Sequence, residues 1–118
     1  MLNIEVVRRF EHEFKNQANH DVVDELMAEG FVHHLPYPGL PAGRDGMRAV
    51  GALVAGAIRD IQVSVDLIMG DGDLVADRVS AAGTRVDTGE PITWVENHIY
   101  RVTDGRIAEL WPAGGPQL

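Results

Sequence analysis

From Ile4 to about Gln17 the apolar residues recur at three- and four-residue spacing, with Val6, Val7, Phe10 and Phe14 on one stripe. That period predicts an amphipathic helix with Phe10 and Phe14 turned inward. A second, short helix is predicted from Asp21 to Met27. Asn19 or His20 precedes it, its first turn is acidic, where the helix dipole favours negative charge, and Gly30 closes it. Phe31 to Leu35 reads as a brief strand. It ends in Pro36-Tyr37-Pro38-Gly39-Leu40-Pro41, whose prolines fix φ and cannot donate to a ladder, so a rigid lip is expected there. Arg44 to Ile58 carries Met47, Val50, Leu53, Val54 and Ile58 at helical spacing, which predicts a third helix; Gly51 and Gly56 suit close packing against another element.

Beyond Ile58 the period changes from helical to alternating. Ile61–Met69, Leu74–Thr84, Ile92–Val102 and Arg106–Trp111 read as strands, parted by Gly70-Asp71-Gly72-Asp73, Asp87-Thr88-Gly89-Glu90 and Thr103-Asp104-Gly105. Three helices ahead of a four-strand antiparallel meander predict an α+β fold, in which a curved sheet wraps the helices and leaves a cavity at one open end. The last two strands, WVENHIYRVTDGRIAELWP, form a hairpin with chemistry on one face. Period-2 geometry groups Trp94, Glu96, His98, Tyr100 and Val102 on one side, so a carboxylate and an imidazole stand one pleat apart among aromatic rings.

Hairpin register decides what faces His98. A two-residue Asp104-Gly105 turn would place Glu109 and Trp111 there. A three-residue Thr103-Asp104-Gly105 turn with Gly105 left-handed would place Ala108, Leu110 and Pro112 there, and this second register is preferred. The outer face carries Val95, Ile99 and Ile107, an apolar surface suited to a sheet-mediated homodimer.

Composition narrows the function. At 118 residues the chain is a single domain, 1–118. Ten Lys and Arg against eighteen Asp and Glu, a net charge of −8, disfavour nucleic acid, whose phosphates need clustered cations. The absence of cysteine removes disulfides and thiolate chemistry. No apolar run approaches the ~20 residues that span a bilayer, and the charged start lacks a signal core, so no membrane partner and a cytoplasmic location are expected. His33 and His34 are neighbours on a strand and point to opposite faces, which argues against a metal site.

The order of elements, with ELMAEGFVHHLPYPGLPAGRDGMRAV, GDGDLVADRVSAAGT and the closing IYRVTDGRIAELW, resembles the SnoaL-like polyketide cyclases of the nuclear-transport-factor-like superfamily over nearly the whole chain. The resemblance implies a cone of four to six mostly antiparallel strands around three helices, a small-molecule pocket and a homodimer. By that resemblance Glu96 and His98 take the family's polar and histidine positions, His34 takes a polar ligand-contacting position, and the family's aspartate position falls on Pro112. VADRVS is similar to the strand of limonene-epoxide-hydrolase-like proteins that carries an arginine, which Arg78 matches, but the aspartate two residues on is Ser80. The short Arg85-Val86-Asp87 connection also lacks the loop that usually covers the family's pocket.

The chemistry expected is proton abstraction beside a carbonyl by Glu96. Burial raises its pKa and a cation such as Arg78 lowers it, leaving a usable base near neutrality, while His98 and Arg78 stabilise the enolate. The outcome would be isomerisation or intramolecular aldol-type closure of an apolar carbonyl substrate, with no metal or organic cofactor. His34, Tyr37, Trp94 and Tyr100 are expected to touch substrate, with Leu110 and Pro112 as walls. Two other functions fit the same pocket: an epoxide or ester hydrolase in which Glu96 activates water, and a non-catalytic binding or dimerisation module.

Overall fold

The computed structural model describes residues Met1–Leu118. The chain runs α1 (Asn3–Arg9), a π-helical continuation (Phe10–Asn16), α2 (Val22–Leu26), β1 (Met27–His33), α3 (Gly43–Ala57), β2 (Ile58–Asp71), β3 (Leu74–Arg85), β4 (Pro91–Thr103) and β5 (Arg106–Gly114). The strands form one sheet in the order β1-β5-β4-β3-β2, antiparallel except for the β1/β5 pair. The sheet is curved and unclosed, with the helices packed against it. No helix is long and apolar enough to cross a membrane.

The core lies where the predicted helix stripe meets the inner face of the sheet. Val6, Val7 and Phe10 pack with Val23, Leu26, Val75, Tyr100 and Ile107, all at most 2 % exposed. Phe10 and Phe14 stack at 4.9 Å, as the inward stripe requires. The helix carrying them does not stay α-helical. From Phe10 it widens into π geometry, which brings Glu11 as well as Phe10 and Phe14 into the interior. Short π segments in helices recur at functional positions.

Three boundaries differ from those expected. Helix α2 stops at Leu26, because Met27 is extended and begins β1 beside Ile107. Gly30 therefore lies inside a strand and caps no helix. Ile58, expected at the end of the third helix, instead opens β2 opposite Arg85 and is 1 % exposed. The proline loop packs onto α3 so closely that a Cβ on Gly46 would collide with the Pro41 carbonyl oxygen, which fixes glycine there.

The hairpin reaches the expected face by another route. Thr103 pairs with Arg106, so the turn has two residues, with Asp104 at φ 52° and Gly105 at φ 75°. These are the left-handed values of a type I′ turn, whose twist suits paired strands. The three-residue turn is thus corrected. A bulge at Ala108, between the Val102–Ile107 and Arg101–Glu109 pairs, then shifts the register by one and sets Leu110 opposite Tyr100 and Pro112 opposite His98. Ile107 precedes the bulge and is fully buried, which corrects its assignment to the outer face. That face carries instead a cross-strand row of Met69, Ala76, Ile99 and Trp111, flanked by exposed Leu67 and Val95.

Candidate functional site

Strand register assembles the site. Asp77 on β3 pairs with His98 on β4, and His98 pairs with Pro112 on β5, so an inward aspartate, imidazole and proline lie in one row across the sheet. The next row brings Val79, Glu96 and Gly114 together. From the opposite side the π-helical turn delivers Glu11 and Lys15. An open cavity of about 150 Å³ ends on this cluster, walled by Phe14, Tyr37, Met47, Trp94, Leu110 and Pro112.

His98 is held at both ring nitrogens. Nδ1 lies 2.7 Å from Asp77 Oδ1, and since a carboxylate can only accept, Nδ1 carries the hydrogen. Nε2 lies 2.9 Å from Glu96 Oε1 and 3.3 Å from Lys15 Nζ. A charged imidazolium donates to both carboxylates, whereas a neutral ring turns its Nε2 lone pair to the Lys15 ammonium. The two protonation states therefore have different partners within one fixed framework. Burial and the Lys15 charge pull the His98 pKa down, but opposing effects led by the hydrogen bonds with Asp77 and Glu96 outweigh them and leave it above its ordinary value.

Glu96 is locked. Lys15 Nζ lies 2.8 Å from Oε1, and Trp94 Nε1–H donates to Oε2 at 2.7 Å. Burial pushes Glu96 up, but the Lys15 charge and the hydrogen bonds from His98, Lys15 and Trp94 hold its carboxyl far below the usual range. Glu96 is thus a fixed anion, which corrects the expectation of a carboxylate poised near neutrality. Lys15 also sits 2.9 Å from Glu11 Oε2, a contact without hydrogen-bond alignment. Burial lowers the Lys15 pKa, yet the charges of Glu11 and Glu96 raise it beyond the ordinary lysine value. Its amine therefore stays charged and is no nucleophile. Tyr100 OH donates to Glu11 Oε1 at 2.5 Å.

Glu11, Asp77 and His98 each bring a possible metal-ligating atom within 4.8 Å of the others. His98 Nδ1 is held by Asp77 Oδ1 and Glu11 Oε1 by Tyr100, and the Lys15 ammonium, 2.9 Å from Glu11 Oε2, fills the cation's place. The set suits a proton better than a metal ion.

Of the residues singled out in the sequence, Glu96, His98, Trp94, Tyr37, Leu110 and Pro112 line the cavity. Three do not. Arg78 alternates with inward Asp77 and so points outward, half exposed, 3.6 Å from Asp66. It cannot meet Glu96 or an enolate in the cavity. His34 stacks on outward Trp111 at 4.5 Å and contacts Glu109 Oε1 at 3.0 Å, while its neighbour His33 reaches the cavity. Tyr100 lies behind the wall, fully buried, as a prop for Glu11.

The model of the SnoaL-like polyketide cyclases matches residues 5–113. The chain belongs to that family. No curated protein matches its sequence. Among solved SnoaL-like structures, IdmH from Streptomyces antibioticus, provisionally assigned as a polyketide cyclase, is 29 % identical, with a TM-score of 0.85 over 97 % of this chain and 92 % of that one. A protein of Bacillus cereus ATCC 10987 with the same provisional assignment superposes with a TM-score of 0.87 at 24 % identity, covering 95 % of this chain and 73 % of its own. TsrD from Streptomyces laurentii gives a TM-score of 0.82 at 21 % identity, covering 93 % and 85 %. These likenesses establish the nuclear-transport-factor-like fold of this SnoaL-like chain.

Within that fold, the acidic partner of His98 comes from β3 rather than from the position of Pro112. Lys15, Glu11 and Asp77 were not singled out in the sequence. Asp77 had a signal, since alternation in VADRVS puts it on the same face as Val75 and Val79, where an unpaired carboxylate is unwelcome. The Glu11/Lys15 pair, at i,i+4 beside inward Phe10 and Phe14, was the other.

Proposed function

We propose that this protein is a small-molecule isomerase or cyclase that moves a proton on an apolar, carbonyl-bearing substrate, with His98 as the acid and base. The observation that carries this reading is an imidazole in the cavity lining, fixed by Asp77 at one nitrogen, whose other nitrogen lies 3.3 Å from an ammonium. Neutral His98 takes a proton from the carbon beside a carbonyl, while the Lys15 ammonium holds the developing enolate oxygen. The enolate carbon then bonds to a second carbonyl carbon of the same molecule, and the imidazolium returns its proton to the resulting alkoxide. Atoms and protons balance within one substrate, so no co-reactant enters. Fixed Glu96 orients Lys15 and supports the imidazolium.

Size restricts the substrate. A cavity of about 150 Å³ is of the order that admits a benzene-sized molecule, so one ring enters and the rest of the molecule occupies the open side. The direct test is solvent-deuterium uptake at the α-carbon of single-ring ketones, followed by NMR. Catalysed uptake supports the reading. Binding of the same ketones without uptake would make the chain a binding module, and incorporation of labelled water oxygen into epoxides or esters would make it a hydrolase.

Glu96→Gln separates its role from that of a base. As a supporting anion, its loss lowers His98's pKa, so the rise of rate with pH moves to lower pH and the plateau drops by no more than about tenfold. A fall of about 10²- to 10⁴-fold at every pH would make Glu96 the base instead.

The outer sheet face supports a homodimer as the partner arrangement. Met69 and Leu67 are 62 % and 59 % exposed, and Met69 lies in one cross-strand row with Ala76 and Ile99. Analytical ultracentrifugation is expected to give twice the 12.9 kDa chain mass, and Ile99→Arg to reduce it. A monomeric wild type at micromolar concentration rules this face out as the subunit contact.

A further inference from the structure

The cluster behind the cavity holds more potential negative charge than positive. Glu11, Asp77 and Glu96 supply three carboxyl groups, whereas Lys15 and His98 supply at most two cations. The other titratable groups facing it are Tyr100 on β4, Tyr37 in the proline loop and His33 on β1. None adds a cation, since burial and the neighbouring histidines hold His33 below its ordinary value. Glu11 and Asp77 are 1 % and 5 % exposed, so water does not screen an excess charge there. Each places an oxygen within 4.8 Å of the other, a separation at which two buried carboxyl groups resist ionising together. Asp77 Oδ2 is buried with no donor.

We propose that Glu11 and Asp77 share one proton at neutral pH, carried on Glu11, and that Glu11 is thereby the positioning residue that keeps His98 able to act as a base. Tyr100 donates to Glu11 Oε1; Oε2, which touches Lys15 at 2.9 Å without hydrogen-bond alignment, and Asp77 Oδ2 are the two buried oxygens that lack a hydrogen-bond partner, so Oε2 is assigned the hydrogen. The cluster is then electrically neutral when His98 is charged. Burial and the Asp77 charge push Glu11 in the same direction, against the Lys15 charge. The functional consequence follows from distance. Glu11 Oε1 is 3.5 Å from His98 Nδ1, so an ionised Glu11 would add to Asp77 and pin the ring as imidazolium. A neutral Glu11 leaves Asp77 as the single full charge on that side, and His98 can give up its proton.

The test reads protonation directly and needs no turnover, so it succeeds or fails independently of the cyclase reading. Infrared difference spectra of the wild type at pH 7, with and without ¹³C-carboxyl glutamate labelling, are expected to show a carboxylic-acid C=O stretch that shifts with the label. In Glu11→Gln, a neutral isostere with an N–H where the proton is placed, that band disappears. The His98 titration midpoint, followed by NMR of its ring, stays within about 0.3 pH unit of wild type. Two results overturn the proposal: no label-sensitive acid band in the wild type, or a His98 midpoint lowered by about one unit or more in Glu11→Gln, the mark of a lost anion. Since the infrared measurement uses wild-type protein, a variant that fails to fold does not remove the test.

Discussion

Lys15→Met is expected to destabilise the fold by about 3–5 kcal/mol at neutral pH, the range for removing one partner of a buried ion pair. The ammonium is the counter-charge of Glu96 at 2.8 Å and lies 2.9 Å from Glu11, and its side chain is only 14 % exposed. Methionine fills similar volume with no charge, so the loss is electrostatic rather than a cavity. Its pH dependence is the diagnostic part. In the wild type Glu96 has a depressed pKa, so its contribution is present above the unfolded value near 4.5 and is lost only as pH falls through the much lower folded value. Without Lys15 the largest cause of that depression is gone, only the hydrogen bonds from His98 and Trp94 still oppose burial, and the carboxyl protonates at higher pH. The difference between the two proteins in urea denaturation should therefore shrink as pH falls from 7 towards 4. A difference below about 1 kcal/mol that does not change with pH would put Lys15 among the weakly coupled surface pairs and remove the structural role given to it.

His98→Gln is expected to lower α-proton exchange by about 10²- to 10⁴-fold, the usual contribution of a positioned acid or base. Its backbone neighbours are retained, so denaturation separates a lost reaction from a lost fold. The wild-type rate carries a further signature. The base is the neutral ring, and His98's pKa is raised above 6.5, so the rate rises with pH through a midpoint above that value. Stability moves the opposite way. The charged ring's bonds to Asp77 and Glu96 contribute fully below the unfolded pKa of about 6.5, and that contribution fades as pH rises through the folded value. The active protonation state is therefore the less stabilised one. Asp77→Asn should shift the kinetic midpoint downward, because an amide supports the imidazolium less well than a carboxylate 2.7 Å away. His98→Gln retaining exchange within about threefold of wild type, or a wild-type rate that falls from pH 6 to 8, would end the assignment of His98 as the base.

What the sequence determined by itself was everything encoded in local period. The i,i+3 and i,i+4 spacing of Val6, Val7, Phe10 and Phe14 gave the first helix and its buried face, and strict alternation from Trp94 to Val102 set Glu96 and His98 side by side. The order of helices before strands gave the α+β architecture, and the family resemblance reached the same fold. Tertiary structure decided which groups meet. Asp77 lies 21 residues from His98, and Glu96 and His98 lie 81 and 83 residues from Lys15; nothing in either local period says that these segments touch. The bulge at Ala108 and the π-helical turn from Phe10 each insert one residue's worth of rotation that a regular period does not contain. The first carries Pro112 to the face of His98; the second turns Glu11 and Lys15 towards the same point. Arg78 shows the converse. Its charge was legible in the sequence, but the strand has room inward for only one of two neighbours, and pairing of Asp77 with His98 sends the arginine out. The pKa values were the least legible of all, because desolvation and charge act through space, so only the assembled cluster could make Glu96 a fixed anion and His98 the group that titrates.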